Sequence, residues 1–319
     1  MGEAIKRGIA VRQEPITIAS SHGLEAPLAM LPNRSDRRRR HAELEIYNTT
    51  AVLGRACRAA HKVVIVREWL EPGSIRHRML SYRHAIGADA VVGVSSDVIG
   101  QWRDCVSRRT AEYVVHNWLD RSLLERTASM ALDRDRHGIL CIGRFNRWKG
   151  QDALASAYEQ AFLGHHDRPT LTFVGSQPGS QFDQRAQQLR VRGTTLGWEV
   201  LPFASDPSVH FLSAELVVVP SLQPEPFGTV VLEAIAHGCR VIAFEGGGPT
   251  DMAKDFPGVV ELASRREGRL ASALTTWWDR GDRALSTTEI QRTRDTLESR
   301  YSPEAGADAW RAIIGKLPL

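Results

Sequence analysis

The sequence predicts an α/β protein built from two parallel-sheet, Rossmann-like domains. Three observations lead there. Short apolar runs bounded by glycine or polar residues alternate with segments of helical length, which is the rhythm of βαβ units. Several runs, such as Lys62–Val66 and Leu216–Val219, are apolar throughout, as strands buried on both faces are. A length of 319 residues is most simply two domains, each able to bury its own core.

In the first half, Lys62–Val66 reads as a strand, Ser74–Ala85 as a helix and Ala88–Val94 as a second strand. Ser95 is placed to open a helix running to about Val106, and Glu112–Val115 forms the next strand. Asn117–Arg136 is charged, carries no strand signal and marks the seam. In the second half, strands are expected at Gly138–Ile142, Leu171–Val174, Leu216–Val219 and Val241–Phe244. Helices are expected between them at Gln151–Leu163, Gln181–Arg192 and Phe227–His237. The boundaries adopted are 1–120, 121–300 and a last helix in 301–319. Parallel sheets of this kind bind ligands beyond the carboxyl ends of their strands, so the chemistry should lie on the loops that follow strands.

Composition excludes several classes. Apolar residues make up 42% and charged residues 24%, near the globular average, so the chain is not disordered or fibrous. No apolar run is long enough for a membrane-spanning helix, and the first residues lack the apolar core of a secretory signal. The four cysteines, Cys57, Cys105, Cys141 and Cys239, form no CxxC pair, which argues against a zinc ribbon and for a reduced, cytoplasmic setting. The net charge of +4 is mild, and the basic run Arg37–Arg40 has no aromatic reading surface beside it, so nucleic acid is not expected as a partner.

Three loops carry chemistry. Gly143-Arg144-Phe145-Asn146-Arg147-Trp148-Lys149-Gly150 lies between a strand and a helix. Arg144 and Lys149 flank a tight turn at a helix N-terminus, which suits an anionic ligand. The second loop, Pro220–Gly228, follows the strand Leu216–Val219 and is stiffened by three prolines. Glu225 stands just before a helix expected to start near Phe227, and Glu233 lies eight residues on. The amides of Gly228, Thr229 and Val230 are first-turn donors able to hold a phosphate. A carboxylate beside them accepts hydroxyls. Phosphate and hydroxyl recognition in one loop describes a nucleotide-sugar or sugar-phosphate site. The third loop, Glu245–Asp251, carries three glycines, among them Gly247, that permit close backbone approach. Asp133-Arg134-Asp135 matches the D-x-D metal–diphosphate pattern, but its charged, strand-free setting reads as surface.

From about Leu44 onward the chain resembles glycosyltransferase family 4. The resemblance rests on GRFNRWKG (143–150), the E-x7-E pair in EPFGTVVLE (225–233), AIAHGCRVIA (234–243) and GGGP (246–249), with weaker matches at VVGVSSDV (91–98) and HNWLD (116–120). It implies retaining enzymes of the GT-B fold, with two Rossmann-like domains facing across a cleft. The first would take the acceptor and the second a nucleotide-sugar donor such as a UDP-sugar, with Tyr301–Ile314 crossing back to the first domain. It implies that Arg144 and Lys149 neutralise the donor diphosphate and that Glu225 accepts hydroxyls of the donor sugar. Glu233 would hold the ribose, and Gly143, Phe227, Gly228, Thr229 and Val230 would line the donor. No protein nucleophile, metal or other cofactor is then expected.

The sequence departs from that pattern in its first domain. Met1–Asn33 matches no family block, and no Gly-Gly pair follows an early strand. Arg67-Glu68 stand where the family often has a histidine, which makes Arg67 a further candidate for phosphate or acceptor. A shortened first domain leaves a second reading open: a non-catalytic nucleotide-sugar-binding subunit that needs a partner chain. Lipid-linked, saccharide and natural-product acceptors all remain open. The Arg37–Arg40 run admits peripheral contact with an inner membrane face. Trp69, Trp102, Trp118, Trp277 and Trp278 could line an acceptor surface, although aromatic residues more often pack in cores.

Overall fold

The computed structural model describes residues 44–47, 61–69, 88–103, 109–130, 136–177, 179, 183–281 and 283–317. The helix expected at Ser74–Ala85, the basic run Arg37–Arg40, Met1–Asn33, Asp133–Asp135, Cys57 and Cys105 lie outside them.

Two parallel sheets are present. The first holds β1 (Leu44–Tyr47), β2 (His61–Val66), β3 (Ala90–Gly93) and β4 (Ala111–Val114), side by side in chain order. The second comprises β5 (Ile139–Ile142), β6 (Leu171–Ser176), β7 (Glu199–Pro202), β8 (Leu216–Val219), β9 (Arg240–Phe244) and β10 (Val260–Ala263). Its order is β10-β9-β8-β5-β6-β7, so the chain builds outward from β5 to one edge and then outward from β8 to the other. The point of reversal lies between β5 and β8.

Ten helices lie among the described residues: α1 (Ser96–Trp102), α2 (Arg121–Ser129), α3 (Gln151–Phe162), α4 (Asp183–Leu196), α5 (Ser208–Ser213), α6 (Thr229–Ala236), α7 (Gly248–Asp255), α8 (Arg269–Trp278), α9 (Thr287–Tyr301) and α10 (Pro303–Ile314). Their starts follow capping chemistry. Ser95 Oγ accepts from Val98 N at the head of α1. Ser286 and Glu289 form a capping box on α9. Ser302 caps α10 ahead of Pro303, so the last helix begins there and not at Tyr301. The seam, charged and without a strand signal in the sequence, holds α2. Three strands were not expected from the sequence: β1 is a four-residue edge strand of the first sheet, β7 is half-exposed at an edge of the second, and β10 buries only its two end residues.

The strands distribute their side chains with period two between three apolar layers. In the second sheet, Ile139, Cys141, Leu216, Val218, Ile242 and Phe244 face a layer closed by α3, α4 and α8. Leu140, Val217, Val219, Val241 and Ala243 face the other way, toward α6 and α7. That second layer does not stop at the sheet. It continues through Phe227, Met252, Tyr301 and Leu119 to Val64, Val66 and Val91 of the first sheet and to Trp102 of α1. Two separate cores were expected, but this layer is contiguous across the seam. The far face of the first sheet (Val63, Ala90, Val92, Val115) is covered by Ile313 and Leu317 at the end of α10. Trp102 and Trp277 are core residues, whereas Trp118 is 39% exposed and its ring packs on Gly306 of α10.

Polar contacts also join the sheets. Asp97, in the first turn of α1, accepts from Gly247 N at the head of α7 (2.7 Å). Asp251, in α7, accepts from Ser96 N at the head of α1 (2.7 Å). Each helix thus supplies a carboxylate to the other's unpaired amides. His116 Nε2 lies 3.4 Å from the same Asp251 oxygen, and its ring stacks on Tyr301 at 5.3 Å between centroids.

Candidate functional site

β5 and β8 end side by side, and each is followed by one of the motif loops. After β5, Asn146 Oδ1 accepts from Lys149 N and closes a single 3-10 turn, Arg147–Lys149. Gly150 then turns the chain into α3 with φ of +73°. A Cβ there would lie 1.8 Å from the carbonyl oxygen of Pro220, so only glycine lets the two loops approach this closely. After β8, Leu222 N donates to Trp148 O (2.7 Å) and fastens the second loop to the first.

A cavity of about 210 Å³ opens between these loops. Lys149 and Glu225 meet in it: Lys149 Nζ donates to Glu225 Oε1 at 2.5 Å. Ser221 Oγ donates to the same oxygen, also at 2.5 Å. Both contacts fall on Oε1, and Oε2 has no hydrogen bond among the described residues. Glu225 is 7% exposed, and a buried carboxylate is costly unless it is paired and hydrogen-bonded as this one is. The ammonium also lies 4.1 Å over the Trp148 ring. Gly228 caps α6 with φ of +86°, and Gly228, Thr229 and Val230 line the cavity at the helix start. Cys141 lines it too, and burial pushes its thiol up to about 12 against a smaller opposing effect of Lys149, which disfavours the thiolate.

The third loop backs the second. Gly247 forms a parallel bridge with Glu225, and Gly248 N donates to Glu225 O at 3.0 Å. A Cβ on Gly247 would meet that carbonyl at 1.7 Å.

The other motif residues are distributed around this centre. Arg144 is exposed, and its carbonyl accepts from the Gln151 side chain at 2.9 Å. Gly143 directly follows β5, and its N–H donates to Val174 O. Phe227 precedes α6 and does not begin it. Its ring is buried against His116 and Tyr301. Glu233 lies on α6 outside the cavity lining. Its carboxylate has no partner among the described residues, and burial raises it above the ordinary range. Arg67 is exposed at the end of β2 and does not line the cavity. Three contributors carried no sequence signal of their own. Ser221 was in the motif without a role. Gln151 lines the cavity with its carbonyl oxygen unpaired. Arg265, 40 residues beyond Glu225, holds the backbone of two of the loops.

The sequence profile of the family described as Glycosyl transferases group 1 matches residues 126–289, just over half of the chain. The chain belongs to the group 1 glycosyl transferases.

The matched stretch contains the second sheet, both cavity loops and every candidate site residue except Arg67. Among relatives of this group 1 chain, a D-inositol 3-phosphate glycosyltransferase of Catenulispora acidiphila is 33% identical over 151 residues. That match takes in 43% of this chain and 36% of the relative, so the chain spans little more than a third of that protein's length. A lipopolysaccharide core biosynthesis glycosyltransferase of Rhizobium meliloti is 28% identical over 204 residues, covering 63% of this chain and 54% of the relative. The fold agrees with solved structures. The Anabaena HepE protein in complex with UDP superposes with a TM-score of 0.65 at 20% identity, over 81% of this chain and 72% of that one. Sucrose-phosphate synthase from Thermosynechococcus elongatus gives 0.62 at 21% identity, over 81% and 68%. The group 1 chain therefore has the GT-B architecture that its motifs imply. Among the described residues, no helix is long and apolar enough to cross a membrane.

Proposed function

We propose that this chain is a retaining glycosyltransferase that moves a sugar from a nucleoside-diphosphate donor to a hydroxyl of an acceptor. The observation that carries the proposal is the meeting of Lys149 and Glu225 at the reversal point of the second sheet, beside the first amides of α6. A switch point of this kind is where open parallel sheets bind nucleotides. Lys149 and Arg144 supply cations for a diphosphate, each on the order of 4 kcal/mol at 4 Å and an effective dielectric of ~20, before desolvation. The amides of Gly228, Thr229 and Val230 add neutral donors. Glu225 Oε2 is free to accept from a sugar hydroxyl, and Glu233 from the ribose.

In the proposed reaction the bond from the anomeric carbon to the diphosphate breaks while Lys149 and Arg144 balance the charge that develops on the leaving group. The acceptor oxygen bonds to the same face of that carbon and passes its proton to the departing phosphate. This route needs no protein nucleophile, and it assigns no metal a role. Residues 1–120 would serve the acceptor, 121–300 the donor, and the final helix would join them. A uridine donor is favoured because the HepE relative was solved with UDP and with UDP-glucose. The acceptor class stays open between lipid-linked, saccharide and natural-product hydroxyls.

The test is a thermal-shift panel of UDP-, GDP-, ADP- and dTDP-sugars, repeated with Lys149→Ala. One base class should stabilise the wild type, by ~2.7 kcal/mol at 100 times its dissociation constant. The variant should bind that ligand at least tenfold more weakly. A folded wild type that responds to none of them would sink the proposal.

A further inference from the structure

The E-x7-E loop is braced from outside by a residue on neither motif. Arg265 follows β10, two strands away from β8 in the sheet. Its Nε donates to the carbonyl of Ser221 at 3.2 Å, and its Nη1 donates to the carbonyl of Glu245. The guanidinium lies 5.4 Å over the Phe244 ring. One planar group thus fastens the loop after β8 to the loop after β9.

Those two carbonyls flank the segment that fixes Glu225. Ser221 is buried, and its hydroxyl donates to Glu225 Oε1. Glu245 begins the turn whose Gly247 bridges Glu225 and whose Gly248 N–H donates to the Glu225 carbonyl. With Ser221 and Lys149 both on Oε1, the rotation of the carboxylate is set, and Oε2 is the oxygen left to a ligand. We infer that Arg265 is a positioning residue for Glu225: by holding both loops it sets which carboxylate oxygen the donor sugar meets. This rests on the donor site proposed above. Arginine suits the task because its rigid fork reaches two acceptors at once, whereas lysine offers a point charge on a flexible stem.

The consequence is selective for the sugar. The diphosphate would be held by Lys149, Arg144 and the α6 amides, none of which Arg265 touches. The sugar hydroxyls depend on Glu225, which it aligns.

The experiment is calorimetric titration of UDP and UDP-glucose, or of the diphosphate and sugar of whichever base the panel selects. It is run on the wild type, Arg265→Ala and Arg265→Lys. Arg265→Ala should keep its affinity for the diphosphate within twofold, which also shows that the fold persists. Its ratio of sugar-nucleotide to diphosphate affinity should fall at least fivefold, and Arg265→Lys should recover less than half of that loss. Parallel weakening of both ligands, or no change in the ratio, would overturn the role of Arg265 and leave the donor site standing. A wild type that binds neither member of any pair would overturn the donor site, and this inference with it.

Discussion

At the scale of single residues, the two glutamates of the E-x7-E pair sit in opposite electrostatic settings. Glu225 is buried yet partnered by an ammonium and a hydroxyl. Glu233 is partly buried and unpartnered, and its carboxyl is raised by burial. A carboxyl raised in the folded state contributes stability below its unfolded value of roughly 4.3, and that contribution is lost as pH climbs through the folded value. At neutral pH the ionised Glu233 therefore works against the fold. Glu233→Gln should raise the melting temperature at pH 7.5, with the gain shrinking toward pH 4, and should weaken nucleotide binding at least tenfold. Parallel melting and titration series check both halves. An unchanged melting temperature would mean that solvent or an ion already compensates the charge. The sequence announced these carboxylates because their spacing is local to one loop and helix. It could not announce Arg265, which reaches the site through backbone carbonyls that any residue type would offer, on a contact set only by strand order.

At the scale of elements, the loops after β5, β8 and β9 are stacked so closely that Gly150, Gly247 and Gly248 admit no Cβ, the first two of them with positive φ as well. Gly150 has positive φ and the Pro220 carbonyl in its path, and Gly247 has positive φ and the Glu225 carbonyl in its path. The left-handed conformation alone costs a larger residue ~1–2 kcal/mol, and the collision forces the loops apart in addition. Gly150→Ala and Gly247→Ala should each cost more than ~2 kcal/mol in urea unfolding and lower donor affinity. Gly100→Ala, at an exposed position of α1 with open space around it, should be neutral or stabilising by about 0.5–1 kcal/mol. Equal effects at all three sites would refute the close stacking. The central strands β5, β8 and β9 were legible because both their faces are apolar, as were their loops, with glycine and proline fixed in place. β7 and β10 were not, because short, half-exposed strands at sheet edges lack an uninterrupted apolar run.

At the scale of the whole molecule, α1 and α7 join the sheets by exchanging carboxylates. Burial pushes the Asp251 carboxyl up, but hydrogen bonds from His116 and Ser96 outweigh it, so the net shift is downward. Its stabilising contribution is then present above the unfolded value of roughly 3.9 and fades as pH falls through the folded one. Asp97→Ala and Asp251→Ala should each cost ~1–3 kcal/mol, and a double-mutant cycle should show coupling of at least ~0.5 kcal/mol. Strict additivity would mean that the two contacts hold the sheets independently. The sequence anticipated two sheets and a helix that returns. It did not anticipate one continuous apolar layer, since side chains from both halves must be seen together for that. The returning helix also sets an order of events during synthesis. The outer face of the first sheet waits for Ile313 and Leu317, about 200 residues after β4 leaves the ribosome. At ~5–20 residues per second, that face stands uncovered for roughly 10–40 s, long enough for chaperones to act on a nascent chain whose first-made sheet is the last to be sealed.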